Sequence, residues 1–211
     1  MNTCSILTRC RPLLAALLTL WTLSAAGQTF DRALTLWENR VNWSPIQTKV
    51  DKNGNIYMAG YFSDTAVIGG FTLIDSDTSA GGNTFDGVVA KFDSLGICQW
   101  ATPINGSRHD KANAAAIDSA GNVYVCGSFT SYELRLGALR LYNSGPYADA
   151  FVAKLDGLTG QWQWAHRAGG ADGDEAGEQL LAGTHGDVYY SGTLPYYFRF
   201  VTISHLSNKP A

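Results

Sequence analysis

The sequence predicts an all-β chain of β-propeller-like blades, each with four antiparallel strands, in about two full units plus partial ones that leave the ring incomplete. Three observations predict it. The 211 residues are poor in charge (16%) and hold 23 glycines, against about 25% charged and about 7% glycine in an average soluble domain. Short runs of alternating β-branched and aromatic residues are broken by turn dipeptides such as Gly54-Asn55 and Gly121-Asn122. These runs recur at a long, nearly fixed period, which marks a repeat architecture.

The same composition excludes other classes. Lys+Arg 15 against Asp+Glu 18 gives a net charge of -3, so the lysine and arginine excess of a nucleic-acid binder is missing. Aromatic residues at 12% argue against a disordered tail.

Residues 1–27 read as a secretory signal peptide. Arg9 and Arg11 form a short basic region, Leu13 to Leu23 is almost wholly apolar, and Ser24-Ala25-Ala26-Gly27 offers the small residues a signal peptidase needs. The apolar run is shorter than the roughly 20 residues of a membrane-spanning helix, and cleavage is expected near Gly27-Gln28. The mature chain then carries 13 basic and 18 acidic residues, is exported, and is expected to have no membrane span.

The mature chain divides into a partial N-terminal unit (28–46) closed by Trp37, a first repeat (47–113), a second repeat (114–177) and a partial third (178–211). Asp51-Lys-Asn-Gly54-Asn55-Ile-Tyr57-Met-Ala-Gly60 matches Asp118-Ser-Ala-Gly121-Asn122-Val-Tyr124-Val-Cys-Gly127, 67 positions later. A third copy, Gly186-Asp187-Val-Tyr189-Tyr-Ser-Gly192, follows after 65. The later half repeats as well: Asp86-Gly-Val-Val-Ala-Lys91-Phe-Asp93 aligns with Asp149-Ala-Phe-Val-Ala-Lys154-Leu-Asp156, and Gln99-Trp100-Ala101 with Gln163-Trp164-Ala165.

Four strands per unit follow, at 46–50, 55–62, 87–93 and 97–102, then at 114–118, 122–129, 149–155 and 161–166. The apolar stretches Val67 to Ile74 and Leu134 to Leu141 suggest an extra hairpin in each unit. Asp-x-x-Gly-Asn is turn chemistry, in which the carboxylate takes hydrogen bonds from the turn backbone and glycine adopts the positive φ of a tight reversal. One four-stranded sheet cannot bury both faces, so units must stack face to face with aromatics between them. Ala114-Ala115-Ala116 suits the crowded innermost strand. The alternative, a β-sandwich, gives no reason for the same turn, the same Val-Ala-Lys and the same Trp-Ala to recur in order.

The ordered set Asp-x-x-Gly-Asn-[Ile/Val]-Tyr-x-x-Gly, then Asp-[Ala/Gly]-[Phe/Val]-Val-Ala-Lys-[Leu/Phe]-Asp, then Trp-Ala resembles the SBBP-type β-propeller repeat of secreted bacterial proteins, many of them modular surface or extracellular proteins. The resemblance covers two units, from about 47 to 177, and a partial third from 178. It implies a propeller fold and export, and no defined activity, cofactor or binding residues. The sequence departs from the family in holding too few units and ending inside one. It also lacks the C-terminal sorting domain that often follows such repeats.

Catalytic chemistry finds no support. There is no Gly-x-Ser-x-Gly elbow, phosphate loop, dinucleotide fingerprint, His-Glu-x-x-His or Cys-x-x-Cys. His109, His166, His185 and His205 fall at unrelated places in the units and read as turn or rim residues. Asp75-Ser-Asp77-Thr-Ser79 followed by Asp86 has some of the spacing of a calcium loop, but Ala80 stands where that loop needs glycine, so a solvated loop is the expectation. Asp172-Gly-Asp174-Glu175, the counterpart of Asp110, reads as a turn. Paired carboxylates could serve glycoside chemistry, yet nothing marks a cleft.

Trp43, Trp100, Trp162, Trp164, Tyr189, Tyr190, Tyr196 and Tyr197 could stack on sugars. Trp100 and Trp164 recur and read as core; Trp162, Tyr196 and Tyr197 do not recur and read as more open to surface contact. Cys98 and Cys126 allow one disulfide at most, and Ala59, the counterpart of Cys126, suggests a small buried residue there. No catalytic, cofactor-binding or metal-binding residue is expected.

The expected function is a secreted non-enzymatic β-propeller repeat protein, a structural or interaction module contacting a protein or glycan. The alternatives are an oligomeric lectin-like carbohydrate-binding propeller and an extracellular propeller glycosidase or lyase. At about 65 residues per unit the mature chain holds under three units, whereas closed propellers use about four or more. Self-association through open blade faces is therefore expected.

Overall fold

Each alternating run forms a strand, because residues at every second position bury one face against a neighbouring sheet. The computed structural model describes residues 42–77, 84–170, 173–183, 187–194 and 197–199. The expected signal peptide, Trp37, Ser79, Ala80, Asp172, His185, Tyr196 and His205 lie outside them. Among the described residues there is no helix, so none is long and apolar enough to cross a membrane.

The strands in chain order are β1 (Trp43–Val50), β2 (Ile56–Phe62), β3 (Thr65–Ile68), β4 (Phe71–Ile74), β5 (Asp86–Phe92) and β6 (Cys98–Ile104). Next come β7 (Asp110–Ile117), β8 (Val123–Phe129), β9 (Glu133–Leu136), β10 (Leu139–Tyr142), β11 (Asp149–Leu155) and β12 (Trp162–Ala168). The last are β13 (Ala176–Ala182), β14 (Val188–Leu194) and β15 (Tyr197–Arg199). They form a four-stranded sheet β1-β2-β5-β6, a second one β7-β8-β11-β12, a three-stranded sheet β13-β14-β15, and the hairpins β3-β4 and β9-β10. All strand pairs are antiparallel, and no sheet closes into a barrel.

The repeat reaches the irregularities. β1, β7 and β13 each carry one bulge at matching positions, at Ile46, Asn113 and Glu178. A bulge bends its strand, and here the bend presses a carbonyl onto the partner strand. A Cβ on Gly60 would overlap the Ser44 carbonyl, one on Gly127 the Lys111 carbonyl, and one on Gly192 the Ala176 carbonyl. The recurring Tyr-x-x-Gly glycine is therefore a close-approach residue. The bulges also explain why β1 and β7 begin at Trp43 and Asp110, earlier than alternation indicates, since an inserted residue breaks the period of two.

Four of the described hairpin turns share one device. Asp51 Oδ1 accepts from Asn53 N and Asn55 N, and Oδ2 from Asn55 Nδ2 and the Tyr57 hydroxyl. Asp118 repeats this with Ala120 N, Asn122 N, Asn122 Nδ2 and Tyr124. Asp93 accepts from Leu95 N and Ile97 N, and Asp156 from Leu158 N and Thr159 N. In each turn a glycine (54, 96, 121 or 160) has φ between 70° and 87°, and its N–H returns to the carbonyl of the leading aspartate.

Three clusters form the core. One joins Tyr57, Val89 and Trp100 of the first four-stranded sheet to Val125, Phe151 and Leu155 of the second, with Leu134 and Leu136 of the β9-β10 hairpin. Another covers the opposite face of the first sheet, where Phe62, Val88 and Phe92 meet Ala66, Ile68 and Leu73 of the β3-β4 hairpin. The third joins Tyr124, Cys126 and Val152 to Leu180, Val188 and Tyr190 of the three-stranded sheet. Phe62, Phe92, Phe129 and Phe151 are wholly buried, each contributing roughly 1.5–3 kcal/mol. Ala114, Ala115 and Ala116 lie on β7, an edge strand by hydrogen bonding, yet they are buried because Ala115 packs into the first cluster and its two neighbours into the third.

Candidate functional site

The chemically distinctive groups lie where one sheet meets the next. Asp86, which opens β5, is fully buried. Its Oδ2 accepts from Ser76 N at 2.9 Å and Ser76 Oγ at 2.6 Å, and its Oδ1 from Gly106 N at 3.0 Å. Asp110, which opens β7, is also fully buried and accepts from Ser131 Oγ at 2.6 Å and from Ser131 N and Thr130 N. A Cβ on Gly106 would overlap the Asp110 carboxylate, so that glycine leaves room for the second acid.

The next joint repeats the arrangement. Asp149 Oδ2 accepts from Ser144 N, Ser144 Oγ also reaches Asp149, and Glu175 accepts from Gly170 N at 2.9 and 3.0 Å. A Cβ on Gly169 would overlap both carboxylates. The difference is a cation: Arg167 Nη1 lies 2.9 Å from Asp149 Oδ2, whereas Pro103 holds the matching place on β6, opposite Val88 as Arg167 is opposite Phe151.

Electrostatics follow that difference. Burial pushes the Asp110 carboxyl up to about 7, and the Asp86 charge adds to it against the hydrogen bonds from Ser131 and Thr130. Asp86 is raised mainly by burial. Glu175 is raised by burial and by Asp149, with Arg167 opposing. The hydroxyls of Ser76, Ser131 and Ser144 donate to Asp86, Asp110 and Asp149, so each joint pairs buried acids with a serine.

A second set of contacts spans the first joint near the turns. Lys91 Nζ and Trp100 Nε1 donate to the Gly157 carbonyl at 2.7 and 3.3 Å, and Thr102 Oγ1 to the Gly160 carbonyl at 3.0 Å. A Cβ on Gly160 would overlap the Trp100 ring. On the other face of the second sheet Lys154 and Trp164 stand at the matching positions. Lys154 Nζ lies 5.6 Å from the Tyr124 ring centroid, as Lys91 Nζ lies 5.4 Å from Tyr57.

An open groove of about 610 Å³ runs past the turns after β1 and β7, lined among others by Lys49, Lys52, Val50, Asp51, Asp118 and Leu181. The two aspartates are engaged in their turns, so the groove presents two lysines beside the exposed Val50 and Leu181.

Several residues singled out by the sequence pattern fall elsewhere than expected. The Asp75 to Asp86 stretch is no solvated loop at its ends, since Asp75 and Asp86 are both buried; Asp75 Oδ1 accepts from Asp77 N and Oδ2 from the Thr84 hydroxyl. Among the described residues no group of three His, Cys, Asp or Glu could hold a metal ion. Glu175 and Asp110 are buried joint residues, not turn residues; Asp174 is exposed and accepts from Ala148 N. Trp162 is half-buried: it packs against the first core cluster, with its Nε1 buried and unpaired.

Trp43 and Trp100 are buried, Trp164 is half-buried, Tyr190 is buried and Tyr189 exposed; the side chain of Tyr197 lies outside the described ones. His109 is exposed against the Phe85 ring at 4.3 Å, and His166 is exposed beside Trp164. Cys98 and Cys126 are both free thiols, Cys126 wholly buried. Burial prevents the pairing that export would permit, holding Cys126 between the second and third sheets while Cys98 packs on the far side of the first. The Asp and Lys of the repeated Asp-x-x-Val-Ala-Lys carry no role predicted from sequence, although a charged residue recurring at both ends of a buried strand is the signal that could have found them.

No family model matches the sequence. The regulatory protein FlaEY of Caulobacter vibrioides is 29% identical over 146 residues, a stretch that covers 66% of this chain and 14% of that protein.

Proposed function

We propose that this chain is a secreted, non-enzymatic module of SBBP-type β-propeller repeats, whose four-stranded sheets act as blades and whose turns present a contact surface for a protein or glycan. The observation that carries the reading is the recurrence of one joint. Ser76, Asp86, Asp110 and Gly106 between the first two sheets have the counterparts Ser144, Asp149, Glu175 and Gly169 at the next. A joint rebuilt at the same spacing is what stacking identical blades requires. The first strands β1, β7 and β13, with their matching bulges, stand as the innermost strands, which suits the alanines of β7. Similarity confined to 14% of a long regulatory protein accords with a module used inside larger polypeptides.

Contact, not turnover, suits the groups on display. The buried acids are engaged at the joints, and the groove beside Lys49 and Lys52 offers cations and apolar surface without a nucleophile and base. The test combines three measurements on the chain exported from a bacterial host. Its N-terminus should be Gln28, a glycan array or partner capture should give signal that Lys49→Glu and Lys52→Glu together abolish, and a polysaccharide hydrolysis screen should be silent. Hydrolysis of any polysaccharide sinks the non-enzymatic reading, and an unprocessed N-terminus sinks export.

A further inference from the structure

The groove past the turns after β1 and β7 has a lining that singles out one kind of ligand. The matching ends of three first strands contribute to it. Lys49, Ala116 and Leu181 stand opposite the recurring tyrosines Tyr57, Tyr124 and Tyr189. Stacking like units accounts for a neutral or apolar residue at these places. It does not account for the lysines, because Lys49 has Ala116 and Leu181 as counterparts, and Lys52, which follows the turn aspartate Asp51, has Ser119 after Asp118. β1 and its turn thus bring two cations to positions that the repeat fills elsewhere without charge.

Beside the cations the surface is aliphatic. Val50 is 62% exposed and Leu181 69%, and both line the groove, so an apolar group laid across them would be removed from water together with them. Among the described residues that line the groove none is aromatic, which leaves no ring face there for the C–H face of a sugar to stack on. The Asp51 and Asp118 carboxylates each accept four hydrogen bonds within their own turns. A cationic ligand therefore finds these acids already engaged, whereas an anionic one meets two lysines.

We infer that the groove takes an acidic, aliphatic polypeptide segment and not a glycan: the carboxylates of the segment meet Lys49 and Lys52, and its aliphatic side chains cover Val50 and Leu181. A volume of about 610 Å³ is that of an ordinary ligand site and holds a few residues of chain. The lysines select the partner and speed encounter more than they add affinity. Covering the aliphatic pair supplies the larger part of the binding. The inference deepens the contact-module reading above and rests on it.

The probe is a displayed library of random dodecapeptides selected on the full-length exported chain. Selected peptides should be enriched in Asp or Glu together with Leu, Ile or Val. Synthetic copies should bind less well in high salt, and about tenfold less well to Lys49→Gln with Lys52→Gln or to Val50→Ser with Leu181→Ser. Copies with Asn and Gln in place of the acids should bind the wild-type chain about tenfold more weakly, which keeps the test open if a variant does not fold. Enrichment of basic or aromatic peptides, no enrichment at all, or binding indifferent to these changes overturns the inference. Polygalacturonate is the second probe, and binding as tight as that of the peptides overturns the choice of polypeptide over glycan. If polygalacturonate binds through the two lysines while no peptide does, the groove remains a contact site and only its polypeptide partner fails. If neither probe binds, the contact reading of the groove fails with it.

Discussion

The Tyr124 hydroxyl donates to Asp118 Oδ2 at 3.1 Å, and six residues separate them as six separate Tyr57 from Asp51 in the preceding sheet, at 3.3 Å. The tyrosine closes a turn already held by three other bonds to the same carboxylate. Asp118→Ala strips all four and should lower stability by about 2–3 kcal/mol, whereas Tyr124→Phe should cost about 1 kcal/mol; urea unfolding of the two variants gives the comparison. Burial, then the charge of the aspartate, pushes both phenols up to about 12, so a spectrophotometric titration should leave Tyr57 and Tyr124 un-ionised, with the buried Tyr190 also late, after the exposed tyrosines have titrated. Equal midpoints for all tyrosines would contradict the geometry.

Gly127 and Gly121 belong to the same repeat for different reasons, and alanine distinguishes them. At Gly127 a methyl group would overlap the Lys111 carbonyl at the bulge of β7, while Gly121 has open space and a φ of +87°. Gly127→Ala should cost about 3 kcal/mol by overpacking, and Gly121→Ala about 1–2 kcal/mol by backbone strain alone. Thermal melts of both should rank them in that order; the reverse ranking would remove the close-approach explanation.

The two joints should respond differently to pH. Asp110 has a folded pKa of about 7, raised from 3.8 chiefly by burial. The folded state holds this proton more tightly than the unfolded state, so the stability it contributes is fully present below pH 3.8 and is lost as pH rises through 7. Asp51 and Asp118 run the other way: their hydrogen bonds outweigh burial and lower the pKa, so their stability is lost only as pH falls below 3.8. Urea midpoints should therefore decline between pH 5 and 8 in the wild type and stay flat in Asp110→Asn. A flat wild-type profile would contradict a shared, cation-free joint.

Arg167 stands at the second joint as the counter-charge the first lacks. Its side chain is 34% exposed while that of Asp149 is 1% exposed, so Arg167→Leu should cost about 1–2 kcal/mol, less than breaking a wholly buried pair. The same variant should make the second joint more sensitive to pH, because Glu175, already raised by burial, then loses the cation that opposes its upward shift. Denaturation at two pH values checks both effects.

The thiols should be silent until the chain unfolds. Burial pushes Cys98 up to about 11 and Cys126 up to about 12, so neither supplies much thiolate at neutral pH. Iodoacetamide should label neither quickly in buffer and both in denaturant, and the oxidised chain should show no intrachain bridge by mass spectrometry.

Much of the local structure is legible in the sequence. Asp51 and Asp118 announce turns because carboxylate and glycine chemistry acts within five residues, and the alternation of Ile56 to Phe62 announces a strand because the pleat has a period of two. The turns led by Asp93 and Asp156 use the same device but are harder to see, because their flanking residues differ. Asp86, Asp110 and Glu175 cannot be placed this way. Their burial depends on Ser76, Gly106, Ser131 and Asp149, which approach from other strands and connections, so nothing local separates a buried joint from a solvated acidic loop.

Trp162 shows the same limit. Its failure to recur suggests surface exposure, yet it fills the space beneath the β9-β10 hairpin where the first repeat has Cys98 opposite Phe92. The sequence by itself determined the strands, the turns and their recurrence, because those depend on neighbours a few positions apart. Only the tertiary structure decided which acids are buried, which aromatics are covered and that the two thiols stay apart, because those outcomes depend on one sheet closing over another across more than 20 residues of chain.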